Sequence, residues 1–272
     1  RVTGDQITKA EAKEYLRESD YEKVVLEERL VGEEFTVQAL VAGDDVLITP
    51  AVQDHKRAYE GDEGPNTGGM GSYSDARFAL PFMTDAEYDA AVGVVEEVVD
   101  ALDDYRGILY GQFMLTADGP KVVEFNARFG DPEAMNTLPV LETDFLDVLT
   151  AARDGDPLPE RAFAAQATVC KYAVPAGYPT DPEAGAAVEL DEETVGDAML
   201  FYASVDERDD GIYTTTSRSF AVVGVADTIH DAEHIAGEAL AGVDEGFHVR
   251  HDIGTDDLVQ SRIDHMDAIR GE

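Results

Sequence analysis

The chain has 272 residues, 44% of them hydrophobic, a proportion that can build a core and excludes global disorder. Its 58 acidic and 20 basic residues leave a net charge of −38; with no basic stripe to neutralise phosphates, duplex nucleic acid is excluded as a partner. No apolar run reaches the roughly 18 residues that a membrane-spanning helix needs, and the single cysteine, Cys170, excludes an internal disulfide and a cysteine-based zinc site.

The acids are spread along the whole sequence, and only six lysines are present. Dispersed acid on a globular pattern suits a protein kept soluble in very high salt, where screening suppresses self-repulsion. A halophilic source is therefore expected and, from the cysteine usage, a cytoplasmic location. The opening "RVTGDQ" reads as the end of a strand cut in mid-protein, so a fragment is expected.

In chain order, Thr8 to Arg17 reads as a helix, with "TKAE" as a capping box between Thr8 and Glu11. "YEKVVLEERLV", from Tyr21, has the β-branched centre of a strand. Phe35, Val37, Ala39 and Val41 then alternate with Thr36, Gln38 and Leu40, and a turn at Gly43-Asp44-Asp45 leads into Val46-Leu47-Ile48, predicting a β-hairpin. A glycine-rich loop is expected between Gln53 and Ser74. Thr84 to Glu87 is a second capping box, and the helix it opens carries a 3.6-residue stripe through Tyr88, Ala91, Val92, Val95, Val98, Val99 and Leu102. "GILYGQFMLT" and "KVVEFNARF" predict two strands about the turn "ADGP". A helix from Phe145 to Arg153 ends at "DGDPLP", and the Pro- and Asp-rich residues 154–162 mark the expected domain boundary. Beyond it short strands dominate ("AQATVCKYAV", "MLFYASV", "GIYTTT", "SFAVVGVA"), with one helix, about Ile229 to Ala241. The expected fold class is α+β: an antiparallel sheet with flanking helices over residues 1–158, then a small β-rich domain over 159–272.

Three stretches can carry chemistry. In "GDEGPNTGGMG", glycines that accept positive φ can line up backbone N–H groups as an anion-binding nest, with Lys56 and Arg57 just upstream and Asn66 and Thr67 as neutral donors. A compact surface loop uses Gly and Pro in the same way. In "VVEFNARFGDPE", a two-residue period places Glu124, Asn126 and Arg128 on one face and Val123, Phe125 and Ala127 towards the core. Hard Glu and Asn oxygens suit Mg²⁺, and a cation beside Arg128 would hold transferring phosphoryl oxygens; a half-exposed strand has the same pattern. Gln112, on the preceding strand, is a weaker candidate ligand. In "VVLEERLVGEE", a strand running into a polar turn can read an adenine edge, with Glu33 or Glu34 accepting from ribose hydroxyls; surface acids would look alike. "HDAEH", His230 to His234, fits a zinc-peptidase pattern, but a catalytic zinc needs a third ligand and a cleft.

"QDHKR…GPNTGGMGSYS" together with "EFNARFGDPE" resembles the phosphoribosylamine–glycine ligases (glycinamide ribonucleotide synthetases), ATP-grasp enzymes of purine biosynthesis. "LEERLVGEE" resembles their adenine hinge and "AGYP", Ala176 to Pro179, their C-terminal domain; the similarity covers essentially the whole chain and is weakest after Gly185. The resemblance implies a partial ATP-grasp domain followed by the family's C-terminal domain. It implies ligation of glycine to 5-phosphoribosylamine through a glycyl phosphate, with ATP consumed to ADP and phosphate. Carried over by motif, Glu124 and Asn126 bind Mg²⁺ or Mn²⁺ and Arg128 stabilises charge on the transferring phosphoryl group. Glu27, Glu28, Leu30 and Glu34 serve ATP. Asp54, Lys56, Arg57, Asn66, Thr67, Gly68, Gly69, Met70, Gly130, Asp131 and Pro132 line the substrate side.

The family's phosphate-covering glycine loop with its lysine, and its N-terminal part, have no counterpart here; that missing part of the same enzyme is the expected partner, and this piece alone is expected to be inactive or nearly so. "TTTSRS" stands where the family has a Gly-Gly-Arg turn, so Arg218 is not counted among the site residues. Another ATP-grasp carboxylate–amine ligase, a biotin-carboxylase-like enzyme and a non-catalytic nucleotide-binding module are the rival readings.

Overall fold

The structure, a computed structural model, describes residues 9–18, 27–243 and 245–271. It divides into residues 1–30 and residues 31–272. In the first unit, α1 spans Lys9–Glu18; Thr8 and the Glu11 side chain, the two halves of the expected capping box, lie outside the described residues. So do residues 21–26 of the strand expected from Tyr21, and residues 27–31 carry no regular structure.

In the second unit, β1 (Glu33–Ala42) and β2 (Asp45–Ile48) form the expected hairpin. Four short strands follow: β3 (Gln53–Asp54), β4 (Arg57–Tyr59), β5 (Glu63–Asn66) and β6 (Gly71–Ser74). Next come α2 (Asp85–Asp100), β7 (Arg106–Thr116), β8 (Gly119–Asn126), α3 (Glu133–Thr137) and α4 (Phe145–Asp154). The chain continues through β9 (Ala167–Pro175), β10 (Met199–Tyr202), β11 (Val205–Arg208), β12 (Gly211–Thr214) and β13 (Phe220–Ala226). It ends with α5 (Ile229–Ala239), β14 (Phe247–Val249) and α6 (Asp256–Arg270). The fold is α+β, with antiparallel sheets flanked by helices.

One sheet has the order β2-β1-β7-β8. β1 is buried on both faces because each is covered. Phe35, Val37, Ala39 and Val41 meet the stripe Tyr88, Ala91, Val95 and Val99 of α2, whose capping box at Thr84 and Glu87 is formed as expected. Leu40 packs on the other face with Leu47 and with Val148 of α4. The second sheet runs β10-β13-β9-β6-β3, with β14 also paired to β9. Its β9 and β13 pack Ala167, Val169, Phe220 and Val222 into the same cluster as the first sheet. The helix α5 lies so close to β13 that a Cβ on Gly224 would stand 1.9 Å from the carbonyl oxygen of Ala232.

Three features differ from the expectations. The stretch from Gln53 to Ser74 is largely short strands, with β4 and β5 paired to each other and β3 and β6 in the second sheet. That sheet therefore draws strands from both sides of residue 158, while the expected boundary itself lies in the connection between α4 and β9. The helix α6 was not expected: its sequence is polar, with only Leu258 and Met266 fully buried.

Candidate active site

The polar face of β1, β7 and β8 forms the floor of the site. Thr36 pairs with Gln112 and Gln112 with Glu124; Gln38 pairs with Tyr110 and Tyr110 with Asn126. Residues paired across antiparallel strands share a face, so Glu124 and Asn126 stand side by side, and the Asn126 amide nitrogen donates to Glu124 Oε1 at 3.0 Å. Glu124 is exposed and Asn126 half-buried. Gln112 Nε2 donates to Glu34 Oε2 at 2.8 Å, a bond that orients the amide beside Glu124. Lys56 Nζ lies 3.6 Å from the same Glu34 oxygen.

The register shifts between Gln112 and Phe113, and this bulge turns Val123 outward: both it and Ala127, expected in the core, are exposed, and only Phe125 packs inward. Arg128 lies beyond the end of β8. Its guanidinium donates to the Phe129 carbonyl at 2.9 Å and sits 5.7 Å from the Tyr110 ring centroid. It therefore shares the neighbourhood of Asn126 through Tyr110, without strict alternation.

The glycine segment does not form the expected nest. The Thr67 N–H donates to the Lys56 carbonyl, the Gly69 N–H to Thr67 Oγ1 and the Met70 N–H to the His55 carbonyl, at 2.7, 3.0 and 2.8 Å. The first and third of these bonds hold the segment to His55 and Lys56, between β3 and β4, and the second is internal to it. Gly69 is required here: at φ 113° a Cβ would stand 2.6 Å from Pro132 Cδ and 2.7 Å from Asp54 Oδ1. The segment thus brings Asp54, Gly68, Gly69, Gly130, Asp131 and Pro132 together. Asn66 is exposed opposite Arg57, and the Arg57 guanidinium donates to the Gly64 carbonyl at 2.8 Å. Met70 is placed differently, its side chain buried among Cys170, Tyr172 and Ile253.

Beside Asp54 lies Glu133, at the start of α3, which accepts from the Tyr110 hydroxyl at 2.8 Å. Burial, reinforced by Glu133, pushes the Asp54 carboxyl well above the usual carboxylate range, against the pull of Lys56 and Arg218. Burial likewise raises Glu133. Asp54 Oδ1 is sealed from solvent with no hydrogen-bond partner.

A cleft of about 320 Å³ opens between β1, the β3–β5 segment and α6, lined by Glu33, Glu34, Asp54, Lys56, Arg57 and Asn66 and closed by Arg262 and His265. Arg262 binds Asp62, and His265 binds Glu33; the motif reading missed all of these except Glu33. Thr255 as N-cap ahead of "DDLVQSRIDHMDAIR" was the available signal for this helix. Glu27 and Glu28 are exposed and Leu30 half-buried in the first unit, whereas Glu34 belongs to the second. His230 and His234 are exposed on α5, 3.1 Å from Asp256 and 3.3 Å from Glu238 respectively. Among the described residues no group of three or more His, Cys, Asp or Glu side chains is placed to hold a metal ion, which leaves the "HDAEH" pattern without the third ligand that zinc needs.

The fold is of the ATP-grasp class, as its likeness to solved structures and to an ATP-grasp family model shows. The chain superposes with a TM-score of 0.56 and 17% identity on N5-carboxyaminoimidazole synthase from Aspergillus clavatus, solved with ADP and 5-aminoimidazole ribonucleotide, over 78% of this chain and 52% of that one. With the biotin carboxylase domain of Hydrogenobacter thermophilus 2-oxoglutarate carboxylase, solved with MgADP and bicarbonate, the TM-score is 0.59 at 14% identity, over 88% and 51%. More specifically, residues 5–134 match the family model of the phosphoribosylglycinamide synthetase ATP-grasp (A) domain and residues 168–256 that of its C domain. The chain belongs to the phosphoribosylglycinamide synthetase family. It is 54% identical to the phosphoribosylamine–glycine ligases of Methanocella arvoryzae and Methanosarcina barkeri, over 100% of this chain and 64% of each relative. The crystal structure of the Thermotoga maritima ligase superposes with a TM-score of 0.72 at 29% identity, over 83% of this chain and 56% of that one. The chain thus spans 64% of the length of the curated relatives it matches.

Proposed function

We propose that this chain carries the metal-binding and substrate-facing part of a phosphoribosylamine–glycine ligase acting in purine biosynthesis. The observation that carries the reading is the Glu124–Asn126 pair, solvent-reachable and side by side on the face that also bears Glu34 and its neighbour Lys56. Two hard oxygen donors, in a site where among the described residues no group of three His, Cys, Asp or Glu side chains is placed for a metal, suit a cation that takes its remaining ligands from phosphate and water, which is the habit of Mg²⁺ and, among oxygen donors, of Mn²⁺. Glu124 and Asn126 would hold it, and when bound it offsets the charge of the nucleotide phosphates.

In the reaction, a carboxylate oxygen of glycine forms a bond to the γ-phosphorus of ATP as the bond to ADP breaks. The phosphoribosylamine nitrogen then attacks the acyl carbon, phosphate leaves, and the nitrogen loses a proton. A carboxylate and a polyphosphate repel each other. Arg128, exposed at the end of β8, is placed to oppose the charge that develops on the transferring group. Glu27, Glu28, Leu30 and Glu34 serve the nucleotide. Asp54, Lys56, Arg57, Asn66, Thr67, the Gly68–Gly69 backbone and Gly130 to Pro132 face the substrates, with Met70 acting only through packing. The part of the relatives that this chain does not span would supply the remaining contacts.

The two functional regions divide near residue 158, between the matched A and C domains. A net charge of −38 fits a halophilic cytoplasm, and among the described residues no helix is long and apolar enough to cross a membrane.

The test is Glu124→Ala in the complete enzyme, with amide formation measured from ATP, glycine and phosphoribosylamine. The variant is expected to lose about 100-fold or more of its turnover with an unchanged circular dichroism spectrum. Normal turnover would remove the metal assignment.

A further inference from the structure

Arg218 lies in the short connection between β12 and β13. Its own backbone is fixed: its carbonyl accepts from the Ser204 N–H at 2.9 Å, and the next residue, Ser219, donates to the Ala173 carbonyl of β9 at 3.1 Å. From this base the side chain reaches two segments far away in sequence. Nη1 donates to the carbonyls of Gly68, Gly69 and Asp131 at 3.0, 3.1 and 3.2 Å, and Nη2 donates to Asp131 Oδ2 at 2.9 Å. The guanidinium carbon stands 4.5 Å from the Tyr172 ring centroid, and the Tyr172 hydroxyl donates to the other Asp131 oxygen at 2.8 Å.

The glycine segment and the 130–132 turn come close where Gly69 faces Pro132, near enough that a Cβ on Gly69 would stand 2.6 Å from Pro132 Cδ. Both are short of regular structure, so their spacing needs a cross-link. A planar guanidinium, with several N–H groups diverging at fixed angles, can serve carbonyls on two segments at once. An ammonium is a point charge and cannot reproduce that geometry.

We propose that Arg218 is a positioning residue: it fastens the Gly68–Gly69 backbone to the turn at Asp131, and so fixes the distance between the groups around Asp54 and Lys56 and those that follow Asn126. Its role in turnover rests on the ligase reading; its role as a fastener does not.

The experiment is amide hydrogen exchange on this chain, following peptides that cover residues 66–71 and 128–133, in the wild type, Arg218→Ala and Arg218→Lys. Arg218→Ala is expected to exchange about tenfold faster or more in both peptides, with β9 and β13 unaltered. Arg218→Lys is expected to follow Arg218→Ala, and ethylguanidinium to restore protection to the alanine variant alone. In the complete enzyme the KM for glycine rises by a similar factor, while the KM for ATP stays within about twofold. Unchanged exchange at both peptides, a lysine variant like the wild type, or a uniform rise across both sheets overturns the proposal. Should Arg218→Ala not fold, Asp131→Asn, which keeps the carbonyl contacts, is expected to raise exchange by about threefold at residues 66–71; no rise there overturns it equally. A complete wild-type enzyme that makes no amide, alongside this exchange pattern, would refute the ligase reading and leave the fastener standing.

Discussion

His55 lies beneath the cleft, 3% exposed, with both ring nitrogens buried and unpartnered. Burial, helped by the nearby Arg262, lowers its pKa to about 3, so the ring is neutral in the folded protein. An unfolded chain protonates it near pH 6.5. Between those values the unfolded state binds the extra proton, so stability falls as the pH drops from about 6.5 towards 3. Asp62 acts in the same direction over a lower window. Burial pushes it up, but His55, Arg262 and Arg250 outweigh that and hold it at about 2, so its contribution is lost from about pH 4 down to 2. The raised carboxyls of Asp54 and Glu133 oppose both, contributing most at low pH. Replacing His55 by Phe isolates one group. Because the ring makes no hydrogen bond, His55→Phe is expected to leave stability at pH 7 unchanged or higher. The slope of stability against pH between 6.5 and 4 should drop by up to ~1.4 kcal/mol per pH unit. Denaturant titrations at several pH values check this; an unchanged slope contradicts it. At this scale the sequence was legible where the chemistry obeyed a local period. Glu124 and Asn126 fall two residues apart on a strand, so their shared face could be read directly. Glu133 meets Asp54 across 79 positions, and no spacing rule connects them.

Elements were legible where one face was apolar. The α2 stripe and its capping box follow from residue spacing, as do the β1–β2 hairpin and the α5 helix. The glycine stretch was misread because turn-rich composition says loop, whereas four very short strands there pair mostly with each other and with β9. The β8 bulge was invisible because only cross-strand pairing reveals an extra residue. In α6, Leu258, Ile263 and Met266 pack on the core cluster, but Arg262, His265 and Arg270 are interleaved with them, the first two closing the cleft and the third binding Glu87 at 2.8 Å, so hydrophobic periodicity is faint. The α5–β13 contact allows a sharp test. Adding one methyl at Gly224 would drive it into the Ala232 carbonyl and force the helix off the sheet. Gly224→Ala is expected to destabilise the protein by about 1–3 kcal/mol, as overpacking does, measured as a shift in the urea midpoint. A neutral effect would mean that α5 sits farther from β13.

At the scale of the whole molecule, the two sheets share one hydrophobic cluster. The two-part division was expected from a change in strand length and Pro content; the pairing of β6 with β9 across it was not expected, since sheet partners far apart in sequence leave no local mark. Charge is the other whole-molecule property. At −38 the folded chain repels itself, and raising KCl from about 0.1 M to about 1 M shortens the screening length from ~10 Å to ~3 Å. The melting temperature is expected to rise across that range; a fall would show that the exposed ion pairs outweigh the net repulsion.

The central claim is that Glu124 and Asn126 hold a divalent cation for a bound nucleotide. It is tested most directly by titrating Mn²⁺ into the protein with ATP present and following the free ion by electron paramagnetic resonance. Binding is expected to depend on the nucleotide and to weaken by about tenfold or more in Glu124→Ala; equal binding by wild type and variant would remove the metal assignment.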